Sequence, residues 1–287
     1  TIKKQVVKKT LDVLEEMAEK RPDDYKTFWA AYGAVLKEGL HFDFENRERI
    51  AKLVRYESSA DKGARSLEEY VAAMPAGQEA IYYVIADTRK AAAGSPHIEA
   101  LRKKGFEVLF MTDPVDEWAV EGLREFAGKK LVSAMRANLK LEQSDEEKKA
   151  REEKASALKP LCGRFEDVLK AHVKEVRLSD RLTDSPCCLV VPEGGMHSSM
   201  ERLLRAYDKD APVQKRVLEL NPAHPVVESL EKLHAKDPKS TRVTDWIELL
   251  YDQALIGEGS PIEDPGAFAR RVTSLLGEAV AREAQAG

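Results

Sequence analysis

The sequence predicts a mixed α/β (α+β) fold in two domains, with a helical hairpin at the C-terminal end. Three patterns lead to this prediction: apolar residues at helical spacing over residues 2–54, short apolar runs alternating with helical stripes over residues 66–134, and two long helical stripes after residue 242. A chain of 287 residues is long enough for two domains that each bury a core.

Helices come first along the chain, as a predicted three-helix segment. One apolar stripe precedes Pro22, a second follows it, and a shorter third covers residues 46–54. The first two stripes comprise Ile2, Val6, Leu11, Leu14 and Ala18, then Tyr25, Phe28, Trp29, Tyr32, Val35 and Leu36. Strands are predicted next at residues 80–86, 108–111 and 131–134. Their alternation with helices favours βαβ units around a small, mainly parallel sheet.

A charged stretch separates this domain from the next. Residues 142–157 carry both signs of charge and almost no apolar stripe, which favours a solvated helix that connects two domains. An ordinary surface helix inside one domain is the alternative. The predicted domains are therefore residues 1–141 and 158–287. In the second domain, strands are predicted at residues 173–182, 187–191 and 217–220.

The two apolar stripes that close the second domain form the predicted helical hairpin, with its turn at residues 257–265. Either the stripes pack on their own domain, or two hairpins of a symmetric pair close a four-helix bundle. On the pattern alone both arrangements remain open. In the homodimer, the predicted interface consists of Ile247, Leu250, Ala254, Phe268, Val272, Leu275 and Leu276.

Composition limits the classes of function. The formal net charge of -4 and the pI near 6.0 lack the basic excess expected of a nucleic-acid-binding protein. No apolar run reaches the roughly 18–20 residues that cross a bilayer. Three cysteines, two of them adjacent, favour a reduced, cytoplasmic compartment. The chain begins without methionine and in mid-helix periodicity, so we expect a piece of a longer protein.

Motifs for catalysis or metal binding do not occur in the sequence. The run AIYYVIADTRKAAAGSP at residues 80–96 places a glycine after a strand, but it contains neither GxGxxG nor GK[ST] to cradle a phosphate. The six histidines show no metal-ligand spacing. Cys187 and Cys188 lie in an apolar run that predicts buried, inert thiols. We therefore predict no catalytic residue, no metal site and no cofactor in this chain.

Two stretches are candidate protein-binding surfaces. We predict a helix with Asp113 as its cap, Pro114 in its first turn and Val115, Ala119, Leu123 and Phe126 on its core face. Trp118 lies about 90° from the centre of that face, which suits either a partly exposed contact or an ordinary boundary tryptophan. Farther along, Gly194 and Gly195 precede an amphipathic helix with Met196, Met200, Leu203, Leu204 and Tyr207 on one face. That face either packs into its own domain or forms an adaptable surface.

Three long strings resemble the ninety-kilodalton heat-shock chaperone family. Residues 94–133, GSPHIEALRKKGFEVLFMTDPVDEWAVEGLREFAGKKLVS, resemble the family's middle domain, whereas VKEVRLSDRLTDSPCCLV at 173–190 and VLELNPAHPVV at 217–227 resemble its C-terminal domain. The strings occur in the family order, and the resemblance runs from WAAYGAVLKEGLHFD at 29–43 to the closing hairpin. It implies a three-helix segment and a small αβα layer, followed by a mixed α/β dimerisation domain.

The resemblance also implies a function. The parent would be an ATP-dependent chaperone of the cytoplasm whose ATP and Mg²⁺ site precedes the residues present here, so that this chain is not itself an enzyme. It would form a homodimer and bind unfolded clients through Trp118, Met196, Met200, Leu203 and Leu204. The ending AREAQAG lacks the MEEVD of eukaryotic members, so tetratricopeptide-repeat cochaperones are not expected. The alternatives are a nucleotide-binding α/β enzyme and a purely structural dimerisation module.

Overall fold

A computed structural model describes residues 2–139, 145–208 and 214–286. The chain forms two compact units. Unit 1 contains the residues up to Gly94 together with Leu101–Ala134, and unit 2 contains Ser95–Ala100 and the residues from Met135 onward. Each unit combines helices with a sheet, so the predicted α/β fold class is confirmed. None of the described helices has both the length and the apolar character of a membrane span.

Unit 1 opens with three helices. They are α1 (Ile2–Lys20), α2 (Pro22–Phe42) and α3 (Arg47–Leu53). Pro22 stands at the first position of α2, where an N–H would have no helical partner. Buried Tyr25 donates its hydroxyl to the carbonyl oxygen of Leu53 (2.5 Å) and so links α2 to α3. The predicted second stripe is core only in part, because Tyr32 and Val35 are exposed.

The sheet of unit 1 has six strands in the order β2-β1-β4-β3-β6-β5. The elements between residues 55 and 133 are, in chain order, β1 (Arg55–Ser58), β2 (Arg65–Ser66), α4 (Leu67–Ala72), β3 (Ile81–Ile85), α5 (Arg89–Ala93), α6 (Glu99–Lys103), β4 (Val108–Met111), α7 (Asp116–Leu123), β5 (Glu125–Phe126) and β6 (Lys129–Ser133). The first two residues of α6 belong to unit 2. The three predicted strands are β3, β4 and β6, and β3 pairs in parallel with the other two. The remaining strands are short and pair antiparallel at the edges.

Helix α7 departs from the prediction at both ends. It begins at Asp116, and Asp113 is not its capping residue because the Asp113 carboxylate binds Nζ of Lys37 (2.7 Å). The helix stops before Arg124, whose φ of 55° lies outside the right-handed helical region. Phe126 therefore belongs to β5 and not to the core face of the helix.

Unit 2 is built on a three-stranded sheet in the order β7-β9-β8. Its elements are α8 (Asp145–Leu169), β7 (Val173–Leu178), β8 (Cys187–Val190), α9 (Ser198–Tyr207), β9 (Arg216–Leu220), α10 (Pro225–Lys236), α11 (Thr241–Glu258) and α12 (Pro265–Ala286). Strand β9 pairs in parallel with β7 and antiparallel with β8. Phe165, Leu218 and Ile247 are buried in the core that α8, β9 and α11 share.

Strand β7 is shorter than the prediction of residues 173–182. It ends at Leu178, and the hydroxyl oxygen of Ser179 then accepts hydrogen bonds from the backbone amides of Arg181 (3.1 Å) and Leu182 (3.2 Å). A serine side chain that satisfies two amides replaces the strand partners and turns the chain. The sequence pattern of alternating apolar residues did not reveal this turn.

The charged stretch at residues 142–157 falls at the start of α8. Residues 142–144 lie outside the described residues, and the helix is continuous from Asp145 onward. Where side chains are described before Leu158, most are exposed, and Leu158 is the first buried one. The solvated helix is thus continuous with the first helix of unit 2. Unit 1 ends at Ala134, ahead of the predicted boundary at 141.

Candidate functional site

Trp118 lies on α7 and is half-buried. Helix α7 approaches α2 closely because Gly122 has no side chain: a Cβ there would lie 2.2 Å from the carbonyl oxygen of Leu40. On the same side, Nδ1 of His41 lies 3.1 Å from the carbonyl oxygen of Trp118. The neighbouring Phe42, whose ring contacts that of His41, is exposed. The backbone of Trp118 is therefore held against the end of α2, where the Phe42 ring is exposed.

A buried ion cluster holds the start of α7. Nζ of Lys37 donates to Oδ2 of Asp113 (2.7 Å) and to Oδ2 of Asp116 (3.1 Å), and it lies 4.4 Å from the ring centroid of Tyr56. Burial raises the pKa of the Asp116 carboxyl, and the positive charge of Lys37 opposes this shift. The lysine is bound on two sides by carboxylates, so its role is to position the helix that carries Trp118.

Helix α9 exposes some of its apolar side chains to solvent. Met196, just before the helix, is 40% exposed, Leu204 is 42% exposed, and Met200 is half-buried. The side chain of Leu203 lies outside the described residues. The side chains described as buried at this helix are polar, namely Ser198 and Glu201, and the preceding His197 is also buried. An ordinary surface helix buries its apolar residues, whereas α9 exposes Leu204 and buries Ser198 and Glu201.

Charged groups lie beneath α9. Oε2 of Glu201 accepts a hydrogen bond from Nη2 of Arg216 on β9 (2.7 Å), and Nε of the same arginine donates to Oε1 of Glu258 at the end of α11 (2.8 Å). The hydroxyl of Ser198 donates to the carbonyl oxygen of Glu258 (3.3 Å). These contacts compensate the burial of charge that would otherwise be costly.

Two histidines of unit 2 are buried without a hydrogen-bond partner among the described residues, His97 and His197. Burial lowers the pKa of each imidazole to about 3, and nearby arginines act in the same direction: Arg181 on His97, and Arg136 and Arg216 on His197. Both rings are therefore neutral near pH 7. His197 immediately precedes α9, so an unpartnered buried group borders the candidate surface.

The terminal hairpin divides the predicted interface residues into two groups. Ile247, Leu250 and Ala254 on α11 are buried in the core of unit 2, where the carbonyl oxygen of Leu250 also contacts the Cys187 thiol (3.3 Å). They have no free surface left for a partner. On α12, Phe268, Val272 and Leu275 are half-buried, and Leu276 is 60% exposed. Val280, which the sequence reasoning omitted, lies one helical turn farther and is 65% exposed.

Groups suited to catalysis are not evident in the part of the chain that the structure describes. Burial raises the pKa of the Cys162 thiol to about 11 and that of Cys187 to about 12, and it raises the pKa of Cys188 well above its ordinary value. Such thiols carry little of the reactive thiolate near neutral pH. Over the same described ranges, no three His, Cys, Asp or Glu side chains come together as a metal site.

Arg216 and Glu258 are site residues that the sequence reasoning missed. Arg216 opens a buried strand, RVLEL, in which a charged side chain needs a partner of opposite sign. The need of Arg216 for an acidic partner could therefore have been recognised from the sequence. The identity of the partners was not readable, because Glu201 and Glu258 are 15 and 42 positions away in sequence.

Comparison with known proteins gives a consistent result. The family model described as Hsp90 protein matches residues 1–286. A protein named chaperone protein HtpG from Myxococcus xanthus is 57% identical over 282 residues, which cover 98% of this chain and 43% of that protein. Proteins of the same name from Geobacter metallireducens and Burkholderia ambifaria are 48% and 47% identical, covering 98% and 96% of this chain. The chain spans less than half of the length of each, 43–45%.

Proposed function

The chain belongs to the Hsp90 protein family, and on that premise we propose that it is the client-binding and homodimerising part of an ATP-dependent molecular chaperone. The exposed apolar surface of α9 is the observation that carries this proposal. Its exposed Met196 and Leu204 side chains form an apolar surface that no described part of the chain covers. Exposed apolar surface of this kind suits contacts with unfolded polypeptide.

The side chains of the two candidate surfaces indicate which parts of a client they bind. Methionine side chains are flexible and polarisable, so the α9 surface adapts to varied apolar segments. Trp118, with exposed Phe42 nearby, offers aromatic area at low conformational cost. We propose that Trp118, Met196, Met200, Leu203 and Leu204 bind partly unfolded proteins through apolar contacts. Nucleic acid and membranes are not proposed as ligands.

Homodimerisation is proposed to involve α12. Leu276 and Val280 are exposed on this helix, beside the half-buried Phe268, Val272 and Leu275. We propose that two such helices from two subunits pack against each other in a four-helix bundle, in which each α11 contacts the α12 of its own subunit and keeps Ile247, Leu250 and Ala254 in the core of unit 2. Each large apolar side chain that becomes fully buried contributes about 1.5–3 kcal/mol, and several per subunit can exceed the cost of association.

We place ATP hydrolysis outside this chain, in the part of the longer protein that carries the ATP and Mg²⁺ site. The absence of a phosphate-cradling motif in the sequence supports this proposal. We also propose that the protein resides in the cytoplasm and acts without tetratricopeptide-repeat cochaperones. ATP or NAD added to about 100 times a specific Kd would raise the free energy of unfolding by about 2.7 kcal/mol, so thermal unfolding with either nucleotide tests the competing enzyme function. We expect no shift.

Client binding is tested with reduced, carboxymethylated lactalbumin, a permanently unfolded chain, labelled for fluorescence anisotropy. Trp118→Ala and Leu204→Asp should each weaken its binding because they remove apolar contact area. Leu233→Asp is the matched control, since Leu233 is an equally exposed leucine on α10 outside the proposed surface. If neither site variant weakens binding, or if Leu233→Asp weakens it as much, the client-binding proposal is wrong. A dimer that never binds the unfolded chain would support a purely structural module.

A further inference from the structure

The exposure of apolar side chains at α9 requires interactions that offset the hydrophobic effect. A surface helix normally lowers the free energy by burying its apolar face. Helix α9 exposes Leu204 and buries Ser198 and Glu201 instead. The buried side chains described on α9 are polar, and they contact the domain through hydrogen bonds and an ion pair. The strongest of them is the hydrogen-bonded ion pair between Glu201 and Arg216 (2.7 Å).

Arg216 links α9 to α11 through two ion pairs. Its side chain is only 7% exposed, and it bridges Glu201 on α9 and Glu258 at the end of α11, whose side chain is 1% exposed. Breaking one member of such a cluster leaves a buried charge without its partner, which is strongly destabilising for that arrangement. The docked orientation of α9 is therefore coupled to the Glu201–Arg216–Glu258 cluster.

We propose that this cluster sets client affinity, with Arg216 as a positioning residue that holds the apolar face of α9 toward solvent. The inference rests on the proposed function, because its effect is exerted on the same client surface. When the cluster is intact, Met196 and Leu204 remain available for client. When it is broken, α9 leaves the docked orientation, and only a fraction of the molecules presents the binding face.

Further polar contacts act at the start of α9. Oε1 of Gln214 accepts a hydrogen bond from the amide of Met196 (2.8 Å), and the amide of Gln214 donates to Oε1 of Glu201 (3.2 Å). Nη1 of Arg136 donates to the carbonyl oxygen of Gly195 (3.1 Å). These bonds fix the two residues that lead into the helix.

An opposing contribution comes from His197. Its ring is buried at the N-cap position of α9 and has no hydrogen-bond partner among the described residues. A buried polar group without a partner destabilises the docked orientation. The docked helix is therefore held by polar contacts against a local cost, and the Glu201–Arg216 ion pair is one of these contacts.

The test is Glu201→Ala in the full chain. This change removes the bond from α9 to Arg216 and leaves the Arg216–Glu258 pair in place. The variant loses a charge-assisted hydrogen bond, so a smaller fraction of the molecules has α9 in the docked orientation. The apparent Kd for client rises in inverse proportion to that fraction. We therefore expect at least about tenfold weaker binding of carboxymethylated lactalbumin. Deuterium uptake of residues 198–207 should rise while β7 and β9 remain protected. Glu201→Gln keeps an oxygen that accepts from Arg216, and it should restore part of the affinity.

Glu219→Gln is the matched control for general destabilisation. Glu219 lies on the same strand as Arg216 and accepts from Arg181 (2.9 Å) and Ser179 (2.8 Å), but its described partners do not lie on α9. The affinity of the Glu219→Gln variant for carboxymethylated lactalbumin should stay unchanged. If Glu201→Ala does not fold, Gln214→Ala replaces it, with about fivefold weaker binding expected from the loss of one hydrogen bond.

Unchanged or tighter binding by Glu201→Ala, or no change in the exchange of α9, overturns the inference. Equal loss of affinity in Glu219→Gln also overturns it. Leu204→Asp, measured in parallel, distinguishes an error in the positioning role of Arg216 from an error in the proposed client surface. If Leu204→Asp weakens binding and Glu201→Ala does not, only the positioning role is wrong; if Leu204→Asp has no effect, the proposed client surface itself is wrong.

Discussion

Lowering the pH from 7 to 5 should destabilise unit 2, because this unit buries two histidines without hydrogen-bond partners among the described residues. The pKa of His97 and that of His197 are both lowered to about 3, mainly by burial. An imidazole in an unfolded chain titrates near 6.5. Below about pH 6.5 the unfolded chain therefore binds more protons than the folded one, and the free energy of unfolding falls as the pH falls toward 3.

The magnitude follows from the difference between the two pKa values. Integration from pH 7 to pH 5 gives a loss of about 2 kcal/mol for each histidine and about 4 kcal/mol for the pair. This is a large part of the 5–15 kcal/mol that stabilises a typical domain. The pKa of the Glu228 carboxyl is lowered from 4.5 by its hydrogen bond to Lys154, so the contribution of this ion pair is lost only at lower pH. Burial raises the pKa of the Asp252 carboxyl, so this group acts in the opposite direction to the histidines.

The assay uses tryptophan fluorescence during urea unfolding at the two pH values. Trp246 is the tryptophan of unit 2, so Trp29→Phe and Trp118→Phe leave one reporter for this unit. In that background, His97→Met with His197→Met removes both titrating rings, and the difference between pH 7 and pH 5 should nearly vanish. If the chain with both histidines loses no stability at pH 5, or if the methionine variant loses as much, the reasoning is wrong.

Three further predictions concern assembly and packing. Leu276→Glu should give folded monomers in sedimentation, whereas Leu250→Glu should unfold unit 2, because only the first side chain is exposed; a folded Leu250→Glu monomer would contradict this assignment. Gly122→Ala should lower stability by about 1–3 kcal/mol in thermal unfolding, since its Cβ would collide with backbone of α2, and an unchanged melting temperature would show that α7 can shift. Lys37→Met should cost about 3–5 kcal/mol of unfolding free energy because it leaves Asp116 buried without its cation; a loss below 1 kcal/mol would contradict a structural role for the pair.

Local patterns in the sequence predicted the central elements of the fold. The strands β3, β4 and β6 are apolar runs that alternate with helices, and such runs are recognisable without knowledge of their neighbours. The edge strands β2 and β5 were missed because each has two residues, too few for a period to be visible. The end of α7 was misplaced for a similar reason: the positive φ of Arg124 leaves no pattern in a non-glycine sequence.

The candidate site was likewise predictable from the sequence only in part. Residue pattern singled out Trp118, Met196, Met200 and Leu204, and the amphipathic periodicity alone identified α9 as a helix with one apolar face. Periodicity does not specify which face is turned toward the domain. The interface residues on α11 were assigned to a partner because a stripe of apolar residues looks the same whether its own domain or a second subunit covers it.

The sequence by itself determined the fold class, the family and the positions of the main helices and strands, because these depend on propensity and periodicity over a few neighbouring residues. Only the tertiary structure decided which apolar face is core and which is free. Leu250 is buried because α11 covers β8, whereas Leu204 on α9 is exposed although it belongs to an equally apolar stripe. Burial is a property of the groups that the fold brings together, and a hydrophobic residue carries no local record of which groups those are.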